Sequence, residues 1–137
     1  IIIISNYNTG KNMKQARPLS PHLQIYKPQI TSILSIMHRI TGIGLSVGTI
    51  LIVLWLTTLS LGEYFYEYYI LFTKSLFGKL ILIVFTFALS YHLSNGIRHL
   101  FWDLGYGYEL DVVFKSGVAV IFSALVLTSL LWVYILF

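Results

Sequence analysis

The chain has 137 residues, 57% of them hydrophobic and only 10% charged, with no cysteine and a formal net charge of +4; its mean hydropathy is +0.81. A water-soluble domain carries about a quarter charged residues and at this length cannot hide so much apolar surface, so the excess must face lipid or other apolar helices. The missing cysteines exclude disulfides, thiolate metal sites and cysteine-ligated iron–sulfur clusters, and in a membrane chain the small positive charge speaks to topology before nucleic acid.

Residues 1–29 hold Lys11, Lys14, Arg17 and Lys27 and all three prolines, Pro18, Pro21 and Pro28. Proline removes an N–H and disfavours helix in the residue before it, so an extended basic segment along the inner membrane surface is expected. Residues 1–14 read as a tail. Arg17–Ile30, with Leu19, Leu23, Ile25 and Tyr26 between the prolines, reads as a docking segment. The apolar run Ile1–Ile4 is far shorter than a signal-peptide core, and no cleavable targeting segment is expected.

Residues 30–137 form the membrane domain. Ile40–Gly62 is uncharged over 23 residues, about 34 Å as helix, enough to cross a hydrocarbon core of about 30 Å. Leu80–Ile97 and Ser116–Phe137 add uncharged runs of 18 and 22 residues. The reading is an all-α membrane protein with three transmembrane helices near 33–61, 75–102 and 112–137. Residues 62–74 are expected to be a loop whose tyrosines and phenylalanines form an interfacial aromatic belt. Residues 103–111 form a short acidic turn with Gly105 and Gly107. With three spans, the N-terminal side holds seven of the nine Lys and Arg residues, and the other side holds only Lys74 and Lys79. That bias places the N-terminus in the matrix or cytoplasm.

Ionisable residues inside spans are functional hypotheses by default. His92 sits six residues before Arg98, about 9 Å deeper than that charge, with Gly96 and His99 below it on the same helix face. A neutral imidazole ligates haem iron well, and a small residue one turn away leaves room for the macrocycle. The alternative is a histidine hydrogen-bonded to a neighbouring helix; Gly96 and His99 favour the ligand. His99, roughly 10 Å along the same face, cannot be the opposite axial ligand and suits a haem propionate. His38 looks too shallow, so the second ligand is expected from another polypeptide. Thr31, Ser35, His38, Arg39 and Gly42 share a face of the first helix. Ser35 and Arg39 both donate to carbonyl oxygens, as reduction of a quinone requires; the bland reading of Arg39 is a headgroup anchor. Asp103 closes the second helix on the same side as Arg39, and an Arg39–Asp103 ion pair is an expectation. Gly44 and Gly48, with Gly42 and Ser46, give a small-residue repeat that favours close helix packing.

These residues carry a resemblance. RPLSPHLQIYKPQITSILSIMHRITG, Arg17–Gly42, resembles the first signature of succinate dehydrogenase cytochrome b subunits, through Arg17-Pro18, Ser35, His38-Arg39 and Thr41. HLSNGIRHLFWDLG, His92–Gly105, resembles the second, through His92, Gly96, Arg98-His99, Asp103 and Gly105. The proline-flanked SPHLQIYKPQ form is similar to the alphaproteobacterial and mitochondrial branch. The resemblance implies half of a heteromeric haem-binding helical bundle, completed by a small membrane-anchor subunit. A flavoprotein subunit and an iron–sulfur subunit would dock on the inner face, carrying FAD and iron–sulfur clusters, while lipid such as cardiolipin surrounds the anchor. His92 would be the axial ligand of the haem b iron, shared with the small anchor. His99, His38 and Arg39 would meet the propionates, and Ser35, Arg39 and Ile36 would line the ubiquinone pocket. At Pro28 animal members carry a tryptophan near the quinone mouth, so that wall differs here.

The chain alone would be no enzyme; it would pass electrons from succinate to ubiquinone as part of the complex. Its place would be the mitochondrial inner membrane with the N-terminus in the matrix, or alternatively a bacterial cytoplasmic membrane. Two other readings are the anchor of a fumarate reductase and a structural membrane module without redox role. The latter has no need of Ser35, Arg39, His92, His99 and Asp103 gathered near one face.

Overall fold

A computed structural model describes residues 29–136, so the expected course of residues 1–28 and the Pro28 comparison lie outside the described residues. The described chain is all helical: α1 (Ile30–Leu61), α2 (Glu63–Lys74), α3 (Leu76–Asp103) and α4 (Leu110–Leu136). Three of them, α1, α3 and α4, are long and apolar enough to cross a membrane. Most of their large apolar side chains are exposed, as lipid-facing helices require. Hydroxyls within the spans turn back to carbonyls of their own helix, as Thr57 does to Val53 and Thr128 to Ala124. No polar group is then left bare to hydrocarbon at those positions.

The buried residues fall at helical spacing on one seam of each span. They are Leu34, Thr41 and Gly48 on α1, Tyr91, Asn95 and Arg98 on α3, and Gly117, Val120 and Ala124 on α4; Gly78, also buried on α3, lies apart from this seam at the corner with α2. Steps of three, four or seven residues keep a side chain on one helix face. Leu34, Tyr91, Val120 and Ala124 form the apolar centre, with Ile30, Met37 and Phe87 against it. The Tyr91 hydroxyl donates to the Leu34 carbonyl at 2.8 Å and ties α3 to α1. Trp132 Nε1 donates to Thr86 Oγ1 at 2.9 Å and ties α4 to α3 at the opposite end.

Residues 62–74 are not the expected loop. Gly62, at φ +103°, ends α1, and a separate helix follows from Glu63 to Lys74. Its acidic first turn and basic last turn complement the helix dipole. Its rings pack back on α1, where the Tyr69 hydroxyl donates to the Leu51 carbonyl. An amphipathic helix lying at the interface satisfies its own backbone where a loop would not. Ser75 then caps α3 by accepting from the Gly78 N–H at 3.1 Å. A Cβ on Gly78 would lie 2.1 Å from the Phe72 carbonyl oxygen, so this corner admits only glycine.

Between α3 and α4 the turn is built on Trp102. Gly105 (φ +86°) takes the left-handed conformation after the helix; its N–H reaches the Trp102 carbonyl and the Tyr106 N–H the Phe101 carbonyl, closing a Schellman motif. Trp102 Nε1 donates to the Gly107 carbonyl and the Tyr108 hydroxyl to the Trp102 carbonyl.

Candidate functional site

The polar residues of the spans meet between α1 and α3, in the half of the bundle remote from α2. His38 lies eight residues beyond the start of α1, and His92 eleven before the end of α3. At 1.5 Å per residue these are roughly 12 and 16 Å along oppositely directed helices. The two imidazoles stack with ring centroids 3.9 Å apart and planes 9° from parallel. The stacking puts His38 level with His92 along the α1–α3 interface, where a shallower position was expected; α1 begins at Ile30, about one turn before the predicted start. His99 joins the cluster at 5.1 Å from His38 and edge-on to Trp102 at 5.1 Å.

Thr41 fixes the His92 ring. Its hydroxyl proton is directed at the carbonyls of Met37 and His38, both 2.9 Å away. The oxygen can then accept from His92 Nδ1, 3.2 Å away. Nδ1 carries the proton in that arrangement, and Nε2 keeps its lone pair. A metal-binding histidine has the same tautomer logic, its other N–H held by an oxygen of the protein. Close approach is possible because Gly42 faces the ring: a Cβ there would lie 3.2 Å from His92 Cε1. Gly96 faces His38 at an ordinary contact distance of 3.9 Å.

Could these residues hold a metal or a porphyrin? Among the described residues no group of three or more His, Cys, Asp or Glu side chains converges on a metal ion. His38 and His92 cannot serve one iron together, because axial ligands point at it from opposite sides and these rings lie face to face. The site thus offers one oriented imidazole nitrogen with hydrogen-bonding groups beside it, which fits a haem whose second ligand comes from elsewhere.

Beside the cluster a cavity of about 300 Å³ is lined by Thr31, Ser32, Ser35, Arg98, His99 and Trp102. Ser35 faces it. Arg39 and Ile36 do not: both are exposed on α1, Ile36 by 57%. Asp103 is exposed at the end of α3 and pairs with nothing on α1. The ion pair found among the described residues is Lys115–Asp111 at 2.7 Å, within one turn of α4. The expected Arg39–Asp103 pair is therefore absent from them, Arg39 pointing outward from the bundle.

Three residues escaped the sequence reading as parts of this site. Arg98 is buried. Its Nε donates to Ser116 Oγ and its Nη2 to the Val113 carbonyl, both at 3.0 Å, and its guanidinium lies 4.1 Å above the Trp102 ring. Asn95 is fully buried. Thr41 orients His92. The 4-3-4 spacing of Tyr91, Asn95, Arg98 and Trp102 is the signal that marks them as one inward stripe of α3, beside the His92–Gly96–His99 stripe.

A family model described as succinate dehydrogenase/fumarate reductase transmembrane subunit matches residues 13–131. The chain belongs to the family of succinate dehydrogenase cytochrome b subunits. It is 48% identical over 117 residues to a succinate dehydrogenase cytochrome b556 subunit of Rickettsia typhi, covering 85% of this chain and 91% of that one. To a cytochrome b560 subunit of Marchantia polymorpha it is 49% identical over 123 residues, 86% of this chain and 90% of the relative. To a cytochrome b556 subunit of Paracoccus denitrificans it is 43% identical over 114 residues, 83% and 88% of the two chains. The match begins within the basic proline-bearing segment and ends late in α4, so it takes in the whole histidine cluster and all three spans. Membership makes the chain a multi-pass membrane-anchor subunit of its complex.

Proposed function

We propose that this subunit binds haem b through His92 and forms part of the site where ubiquinone is reduced with electrons from succinate. The observation that carries the reading is the Thr41–His92 contact, which leaves Nε2 as the one free, oriented nitrogen of the ring. Haem, when bound, supplies a one-electron carrier whose potential is tuned by its ligands and their hydrogen bonds. His92 and Thr41 orient that ligand. Gly42 and Gly96 keep the helix faces low beside the rings. His99 and His38 would hold the haem's propionates, with Arg39 reaching them or the quinone from the outer face of α1.

From this chain His92 would hold the haem, and the small membrane-anchor subunit would supply the other ligand; α4 has no histidine to offer. Ser35 and Arg39 donate hydrogen bonds to the quinone oxygens where negative charge grows during reduction, and Ile36 walls the ring. Arg39 and Ile36, exposed on this chain, face a pocket that the iron–sulfur subunit and the small anchor complete. The flavoprotein with its FAD lies beyond. The histidine end faces the mitochondrial matrix or bacterial cytoplasm, as the seven-to-two bias of basic residues supports.

Two substitutions in the assembled complex test the proposal. His92→Leu abolishes or alters the b-type reduced-minus-oxidised spectrum; an unchanged spectrum refutes the ligand. Arg39→Leu impairs quinone reduction and spares succinate oxidation by an artificial acceptor; equal loss of both activities contradicts a role at the quinone.

A further inference from the structure

Three polar atoms inside the bundle have no hydrogen-bond partner among the described residues: His38 Nδ1 and both heteroatoms of the Asn95 amide. An unsatisfied buried group keeps its full desolvation cost, and native interiors rarely leave one so. Asn95 has no exposed surface, and His38 Nδ1 is likewise sealed. This chain's own helices enclose both, so a docking subunit cannot reach them without prising α1 from α3.

The two groups lie across one helix interface. The His38 ring stacks on His92, stands 5.1 Å from His99 and rests 3.9 Å from the Cβ position of Gly96. Asn95 is three residues after His92, one before Gly96 and four before His99, on the side of that patch that Tyr91 ties to α1 through the Leu34 carbonyl. Leu34 is also the residue four before His38, whose carbonyl would ordinarily receive a helical histidine's Nδ1–H. It already accepts the Tyr91 hydroxyl and, by helix geometry, the His38 backbone N–H. A carbonyl offers two lone pairs, so this acceptor is closed to the ring.

We infer that Asn95 is a positioning residue for His38: its amide holds one buried water that donates to His38 Nδ1 and so keeps the proton on Nε2. The two stacked imidazoles then hold opposite tautomers. His92 has its proton on Nδ1, toward Thr41, and its lone pair on Nε2. His38 has its lone pair on Nδ1, toward Asn95, and its N–H on Nε2. One ring is set to ligate and the other to donate to a carboxylate. The donor role rests on the haem reading above; the Asn95–His38 pairing does not.

The test is a redox-difference infrared spectrum of the haem-bearing complex, read at the propionate carboxylate bands. Asn95→Leu keeps the volume and removes the hydrogen bonds. It should shift those bands as His38→Leu does, the double variant should add nothing further, and Asn95→Ser, which leaves a hydroxyl and room for water, should restore the native bands. Unmoved bands in haem-loaded Asn95→Leu, or additive shifts in the double variant, overturn the inference. If Asn95→Leu does not assemble, a density map of the native complex decides. One water about 2.7–3.2 Å from both His38 Nδ1 and the Asn95 amide supports it, and an amide bonded elsewhere with no such water overturns it. Should His38→Leu itself leave the bands unmoved with haem bound, the propionate reading fails, while the map still judges the Asn95–His38 pair.

Discussion

The two halves of the α1–α3 interface are built from opposite materials. In the half remote from α2, the helices meet through Thr41, His38, His92 and the buried Asn95, and Arg98 joins α3 to α4. In the half near α2, Gly44, Val47, Gly48, Leu51, Phe85 and Ala88 border an apolar groove of about 480 Å³. There the helices meet through shape, with Gly48 buried against the Phe85 ring. Burying polar groups at membrane depth is costly, and the second half shows that these helices can pack without them. Close packing of these helices therefore does not by itself call for the polar half.

The contrast can be broken from either side. The largest effect is expected from Thr41→Val, which removes the oxygen holding His92 Nδ1 and keeps the side-chain volume. Loss of such a supporting hydrogen bond lowers metal affinity by roughly 10–100-fold. The haem-to-protein ratio of the purified complex after a chelating or detergent wash should fall accordingly, with the fold intact by circular dichroism. Gly48→Leu attacks the other half. A Cβ there would stand 2.2 Å from the Phe85 ring, and overpacking of that kind costs about 1–3 kcal/mol. Its unfolding midpoint should drop while the haem spectrum of what remains folded stays native. The smallest effect is expected from single interhelical hydrogen bonds. Tyr91→Phe and Trp132→Phe each remove one, worth on average about 0.6 kcal/mol in a membrane protein, seen as a small fall in thermal stability. A collapse of haem binding in Trp132→Phe would erase the distinction between the halves.

The spans were legible because charge is largely excluded from them: the uncharged run ending at Gly62 stops where α1 does, and Asp103 is the last residue of α3. The helix α2 was hidden because tyrosine and phenylalanine read equally as an interfacial belt. Its helical backbone over Glu63–Lys74, packed on α1 through Tyr69, is what the ring-rich composition did not reveal. His92 stood out as an ionisable residue deep in a span, whereas Thr41 and Asn95 did not, since uncharged polar residues in membrane helices are common and usually bond their own backbone. Thr41 does bond its own backbone, and its second contact, across 51 residues of sequence, depends on how α1 and α3 cross. The small-residue repeat was half right. Gly48 packs closely, while Gly44 faces open space with nothing within 4 Å of its Cβ position. Spacing gives the face of a helix, and which part of that face meets a neighbour is decided by the crossing.

In the proposed site Thr41 presents the Nε2 nitrogen of His92 to haem iron. A density map of the assembled, haem-loaded complex at side-chain resolution tests it most directly. Iron bonded to His92 Nε2, the Thr41 hydroxyl on Nδ1 and the other ligand from a second chain are the expected result. Iron on another residue of this chain, or an acyl chain lying against His92, would contradict it.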